Sequence, residues 1–191
     1  MSEQAPRQAL QQRVASAILD GAAQIFALQG EHASMNDVAA AAGVARATVY
    51  RYFPNREALL DALAQTAVDA VDARLQSARI DEVPPEEGLA RVVRALVDVG
   101  DAFVLLARQR PRSDPQRLEL ALAQPLRRVF ERGQAAGDIR ADVTSARLAD
   151  SLIGLVVGVL ASSPSLGRDD MTATITGLFL DGARARGPRR R

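Results

Sequence analysis

The chain has 191 residues, 48% of them apolar and 25% charged, ordinary proportions for a globular protein and enough for a substantial core. It has no cysteine and one histidine, His32, which excludes disulfides, thiolate zinc sites, cysteine nucleophiles and a histidine metal cluster within one chain. Its 24 basic residues, all arginine, nearly balance 23 acidic ones for a net charge of +1, so any case for nucleic acid has to be local.

Alanine, leucine and valine dominate the apolar content and β-branched alternation is scarce, so an all-α fold is expected. The first helical pattern runs from about Gln8 to Gln29, with Val14, Ile18, Ala22, Ile25 and Phe26 at helical spacing and Gly30 placed to end it. Ser34 is the expected cap of a second, short helix from Met35 to Ala42, and Asp37 stands three residues on as the acidic half of a capping box. Gly43 marks a sharp turn. A third short helix follows from Ala45 or Arg46 to Phe53, where Pro54 stops it. Asn55 caps a long fourth helix from Arg56 to about Arg79, with Leu59, Leu60, Leu63, Ala67, Val71 and Leu75 as its apolar stripe.

Asp81-Glu-Val-Pro-Pro85 is a break. Glu86 to Arg108 then reads as one continuous helix, with Gly100 inside its apolar side and Asp98 and Asp101 on its arginine-bearing face, where surface ion pairs are expected. Residues 109–114, with Pro111 among them, read as a loop or a short helical turn. Asp114-Pro115 opens a helix to about Ala136 that Pro125 should kink or split. A turn at Gly137 to Asp142 leads into the strongly apolar Thr144–Ser162 and then a last helix, Asp169 to Arg186. The longest apolar run, Leu152 to Ala161, falls short of the roughly 20 residues a membrane span needs. With no N-terminal hydrophobic signal, a cytoplasmic protein without a membrane partner is expected.

The segment Ala41 to Leu60, AAGVARATVYRYFPNREALL, holds both tyrosines of the chain and three arginines. Two short helices around a glycine turn make a helix-turn-helix. On a helical wheel Val49 and Phe53 point into the core. Ala47, Thr48, Arg51 and Tyr52 point away, with Tyr50 at the border. Such a face can enter a major groove, where arginine forks bind guanine and small apolar groups meet thymine methyls. The alternative is a solvated helical hairpin. Across residues 1–64 the balance is slightly acidic, with Arg7, Arg13, Arg46, Arg51 and Arg56 against Glu3, Asp20, Glu31, Asp37, Glu57 and Asp61.

The spacing of Phe26, Gly30, Ser34, Val38-Ala39, Ala42-Gly43-Val44, Thr48-Val-Tyr50, Tyr52-Phe53 and Leu59-Leu60 resembles the DNA-binding headpiece of the TetR family of bacterial transcriptional regulators, over about residues 13–63. Weaker likenesses to the family's regulatory domains lie at Gly133 to Asp142 and Gly177 to Gly182. The resemblance implies that Ser34, Thr48, Tyr50, Tyr52 and Arg56 hold phosphates. Arg46, Ala47 and Arg51 would face the bases, with Arg46 leading. Two departures stand out. Ala45 replaces the family's usual Ser or Thr cap, at about 1 kcal/mol, and Arg56 stands where lysine is usual.

A helix as apolar as Thr144–Ser162 has to be covered on both sides. One cover is the core and the simplest second cover is another copy of the chain; a fully buried monomer core is the alternative. The resemblance implies a homodimer through the last two helices, with Gly154, Gly158, Ile175, Leu178 and Phe179 at the interface, presenting two recognition helices to a pseudo-palindromic operator in double-stranded DNA. It also implies a small-molecule effector pocket among the middle helices. Leu96, Phe103, Phe130, Leu152 and Val156 are candidate lining residues, or else simply core.

The resulting expectation is an all-α chain of about nine helices: a helix-turn-helix domain over residues 1–63, an effector-binding and dimerisation domain over 64–187, and a basic tail at 188–191. The expected function is a transcriptional regulator, in sense a repressor released from DNA by a small molecule, with no enzymatic activity, cofactor or metal. The competing expectation is a helical ligand-binding or adaptor protein without specific DNA binding.

Overall fold

The computed structural model describes residues 4–109, 115–162 and 165–185. The proposed basic tail, residues 110–114 and the link at 163–164 lie outside them. Within the described residues the secondary structure is helical, apart from one isolated antiparallel bridge between Ile139 and Arg184.

Helix α1, Gln4–Gln29, begins four residues before its expected start and runs through a 3-10 turn at Gly30–His32. Then come α2, Met35–Ala41, and α3, Arg46–Tyr52. The long α4, Arg56–Ala78, has Asn55 Oδ1 accepting from Ala58 N at 2.8 Å. At its other end Arg79 takes a left-handed conformation (φ 49°) and leads into a second 3-10 turn, Ile80–Glu82.

The helix expected from Glu86 to Arg108 is in fact two, α5 at Pro85–Val99 and α6 at Asp101–Gln109. Gly100 separates them with φ 62° and ψ −127°, a region essentially confined to glycine. The apolar period hides this break, because Leu96 and Phe103 are both buried on either side of it. The turn sends Phe103 into one hydrophobic cluster and Leu105 into another.

The expected helix is interrupted at Pro125, which stands in the first turn of a new α-helical stretch. A short α7, Pro115–Leu118, widens into a π turn at Glu119–Ala123, closed by Gln124 N bonding Glu119 O, and continues as α8, Gln124–Ala136. Proline has no N–H for the ordinary bond to Ala121, and the wider turn just before it absorbs the mismatch. Helix α9 is Ser145–Ser162 and α10 is Arg168–Ala183. By length and composition alone α9 could pass for a membrane span. Its Leu148, Ala149, Leu152 and Val156, however, form part of the core.

Two apolar clusters hold the chain together. The first joins Ile18, Ala22 and Phe26 of α1 to Val38, Val49, Phe53, Leu59 and Leu63, and it also takes in Leu105 from α6. The second begins at Ala64 and Ala67 on α4 and gathers α5, α8, α9 and α10 around Leu96, Leu126, Phe130, Leu152 and Ile175. Helix α4 contributes to both, and α6 packs on α1, α4 and α9.

Candidate nucleic-acid interface

The first three helices are positioned by local chemistry that can be followed residue by residue. At the start of α2, Ser34 Oγ accepts from Asp37 N at 3.3 Å. Asp37 Oδ2 accepts from Ser34 N at 2.9 Å and from the Ser34 hydroxyl at 2.6 Å. The box is closed from both sides, and these bonds hold the Asp37 carboxyl below the usual carboxylate range. At the far end of α2, Gly43 (φ 65°) makes the turn, with Gly43 N bonding Ala40 O at 3.2 Å and Val44 N bonding Ala39 O at 3.0 Å.

Gly21, which the helical pattern of α1 conceals, sets how closely α1 meets the end of α2. A Cβ built there would sit 2.8 Å from Ala42 N, so any larger residue drives the two helices apart. The sequence signal for it is an isolated glycine inside an apolar helix.

Val49 is fully buried and Phe53 nearly so, which fixes the rotation of α3 about its axis. Arg46, Ala47, Tyr50 and Arg51 are exposed, and Thr48 and Tyr52 are half-buried. The Arg46 guanidinium lies over the Tyr50 ring, 5.3 Å from its centroid, and reaches the phenol oxygen at 3.5 Å. Arg51 lies over Tyr52 at 5.4 Å. The contacts of both cations among the described residues are thus with aromatic faces, and their charge stays uncancelled. Ala45 occupies the cap of α3 with extended backbone (φ −68°, ψ 145°) and no side-chain bond, as the sequence leads one to expect.

Arg56 departs from the expectation of a cation turned outward to phosphate. Its guanidinium faces back onto the end of α1. One terminal nitrogen donates to Ala33 O, the other reaches Gly30 O at 3.5 Å, and Cζ stands 4.7 Å from the Phe26 ring centroid. Sequence reasoning missed this role, because nothing in the spacing of residues 26, 30, 33 and 56 shows that they meet.

The five candidate effector residues Leu96, Phe103, Phe130, Leu152 and Val156 are all buried and share one cluster. Phe130 also meets Phe179, ring centroids 5.6 Å apart. None of the five lines the open groove of about 550 Å³ between α4 and α5, which is bounded by Arg74, Ser77, Arg91, Arg94 and Asp98. Asp98 pairs with Arg74 at 3.3 Å and Arg168 at 3.7 Å, surface pairs as the sequence implies. Asp101 stands in the first turn of α6.

Of the residues expected at a dimer interface, Gly154, Gly158 and Leu178 are exposed, with open space where a Cβ would sit on either glycine. Phe179 is half-buried. Ile175 is a correction: it is completely buried inside the subunit, one turn from buried Met171 on the inward side of α10. The outward side carries Thr174, Gly177, Leu178 and Asp181 instead.

Known proteins share both the headpiece and the whole fold. The family described as bacterial regulatory proteins, tetR family, matches residues 18–63. The HTH-type transcriptional repressor LfrR of Mycolicibacterium smegmatis is 42% identical over 91 residues, an alignment spanning about half of each protein, 47% of either length. The HTH-type transcriptional regulator NfxB of Pseudomonas aeruginosa is 28% identical over 160 residues, covering 79% of this chain and 84% of that one. The crystal structure of LfrR in complex with proflavine superposes with a TM-score of 0.71 at 28% identity, covering 90% of this chain and 96% of that chain. AibR, solved with isovaleryl coenzyme A and operator DNA, shares the fold at 22% identity and a TM-score of 0.71, over 86% of this chain and 97% of that chain. Residues 18–63 thus match the headpiece of the TetR family of bacterial regulatory proteins, set in a helical architecture that the whole chain shares with solved TetR-like regulators.

Proposed function

We propose that the protein is a cytoplasmic, homodimeric transcriptional repressor, not an enzyme, that binds a pseudo-palindromic operator and leaves it when a small molecule occupies its C-terminal domain. The observation that carries this reading is the face of α3. Arg46, Ala47 and Arg51 project from a helix whose rotation Val49 and Phe53 fix, and the two cations rest on tyrosines rather than on carboxylates. Arginine forks and an alanine suit base edges, while Ser34, Thr48, Tyr50 and Tyr52 flank them with hydroxyls suited to phosphate. Two such faces related by a two-fold axis ask for two half-sites.

The naming of LfrR as a repressor, its structure with proflavine and the operator complex of AibR support the division of labour. On this reading residues 1–63 bind DNA, 64–187 bind effector and dimerise, and 188–191 form a basic tail. Leu96, Phe103, Phe130, Leu152 and Val156 make the effector site largely apolar and aromatic. The dimer forms through the outward faces of α9 and α10, with Gly154, Gly158 and Leu178 central.

The test is selection of duplexes from a random-sequence DNA pool with the full-length protein, followed by gel shift and footprinting. Enrichment of an inverted repeat, bound with one dimer per site, is the expected result. Recovery of no sequence preference, with binding that only tracks salt concentration, would overturn the proposal.

A further inference from the structure

We infer that Arg56 acts in DNA binding as a positioning residue that locks the cap of α2, and not through a phosphate contact of its own; this rests on the function proposed above. The geometry is a chain of charge and dipole running through one peptide group. Arg56 donates to the carbonyl of Ala33. The N–H of the same peptide belongs to Ser34 and donates to Asp37 Oδ2 at 2.9 Å. The Ala33–Ser34 peptide therefore has a cation on its oxygen edge and a carboxylate on its nitrogen edge. Each bond polarises the amide in the sense that strengthens the other.

The rest of the guanidinium is also engaged internally. Its second terminal nitrogen reaches Gly30 O at 3.5 Å, and its Cζ stands 4.7 Å from the ring centroid of buried Phe26. Ala33 is buried as well, so the clamp sits on apolar ground rather than in open solvent. A cation in the first turn of α4 opposes the helix dipole, and the two carbonyls offset that opposition. The clamp fixes where Ser34 stands relative to α3, because α2 and α3 share the Gly43 turn and one apolar cluster.

Lysine cannot replace this arrangement. An ammonium has donors for two carbonyls but gathers them on one nitrogen, so it lacks the rigid fork that reaches Ala33 O and Gly30 O from two separate nitrogens beside the Phe26 ring, whereas it serves well as a point charge for phosphate. The two roles therefore predict opposite behaviour for Arg56→Lys.

The experiment uses the full-length protein and the best duplex recovered by selection from the random DNA pool. Affinity is measured from 50 to about 300 mM salt for wild type, Arg56→Lys, Arg56→Gln, Phe26→Leu and Asp37→Asn, with circular dichroism at each step to establish folding. Positioning predicts that Arg56→Lys loses about tenfold in affinity, close to the loss in Arg56→Gln. It also predicts an unchanged slope of log K against log salt and a non-additive Arg56→Lys/Asp37→Asn pair. Phe26→Leu, which keeps every charge, should weaken binding in the same direction. Retained affinity in Arg56→Lys, with a salt slope smaller by about one in Arg56→Gln, would show a direct phosphate contact and overturn the inference.

If wild type selects no duplex, the proposed function fails and the clamp is still tested in the free protein. Hydrogen exchange of the Ser34 and Asp37 amides should then quicken in folded Arg56→Lys. Unchanged exchange there would refute the clamp on its own.

Discussion

Arg46 stacks on Tyr50 one turn further along α3, its guanidinium carbon 5.3 Å from the ring centroid. The stack holds a long cationic side chain flat against the exposed face of the helix, so less rotamer entropy remains to be lost when it meets a base. Arg46→Ala is expected to cost about 1–3 kcal/mol in affinity for the selected operator and to relax preference at one base position in each half-site. Tyr50→Phe keeps the ring and should retain base preference while weakening binding uniformly. Quantitative gel shifts on the operator and its single-base variants distinguish the two effects.

The Ser34–Asp37 box makes a pH prediction. Because the folded protein holds the Asp37 carboxyl below its ordinary range, the box contributes stability that is fully present above the unfolded value, about pH 3.9. That contribution is lost as pH falls through the lower folded value. Glu86, held low by its bonds from Arg184, titrates in the same sense and adds to the same acid limb. Thermal melts from pH 6 down to 3 should show falling stability, and Asp37→Asn should flatten only its own share. If Asp37→Asn melts in parallel with wild type at every pH, the box has no such linkage.

Ala45 has the backbone of a helix cap without the side chain. Ala45→Ser, placed on the same extended backbone, can accept from the Ala47 amide in the first turn of α3, since the Thr48 amide already donates to the carbonyl of residue 45 at 2.8 Å. The expected gain is about 1 kcal/mol in the midpoint-derived stability of the protein. Urea unfolding followed by tyrosine fluorescence measures it, since both tyrosines lie on α3. A loss of stability would mean that the exposed cap is already satisfied by water.

The outward side of α9 and α10 carries the dimer prediction. Leu178 is 62% exposed, and Gly154 and Gly158 stand beside open space. Leu178→Arg, placed at the centre of the proposed interface, should convert the dimer to monomer in light scattering and abolish one-dimer binding to an inverted repeat. The subunit core should survive, because Ile175 and Met171 face the other way. A Leu178→Arg protein that remains dimeric would remove this face from the interface.

The parts of the fold legible in the sequence are those governed by neighbours along the chain. The Ser34 and Asn55 caps, the Gly43 turn and the inward Val49 and Phe53 all follow from residues within one turn of each other. What escaped depends on pieces distant in sequence. Ile175 has the same apolar character as Leu178, and only the packing of α10 against α5 decides which of the two faces inward. The break at Gly100 keeps the apolar period intact on both sides, so periodicity alone reads straight through it. Arg56 shows the same limit at the site: charge and helix position point to phosphate, while its partners at Gly30 and Ala33 lie 26 and 23 residues away.

Leu105 belongs to the headpiece cluster although it stands more than forty residues beyond the headpiece's last helix start. Cutting the chain after Leu63 would therefore produce a headpiece with an apolar socket left open, not a self-sufficient module. Grafting these recognition residues onto another regulator would need a donor that brings its own plug for that socket. Engineering of operator specificity in this chain is thus better done by substitution on α3 than by exchanging the domain.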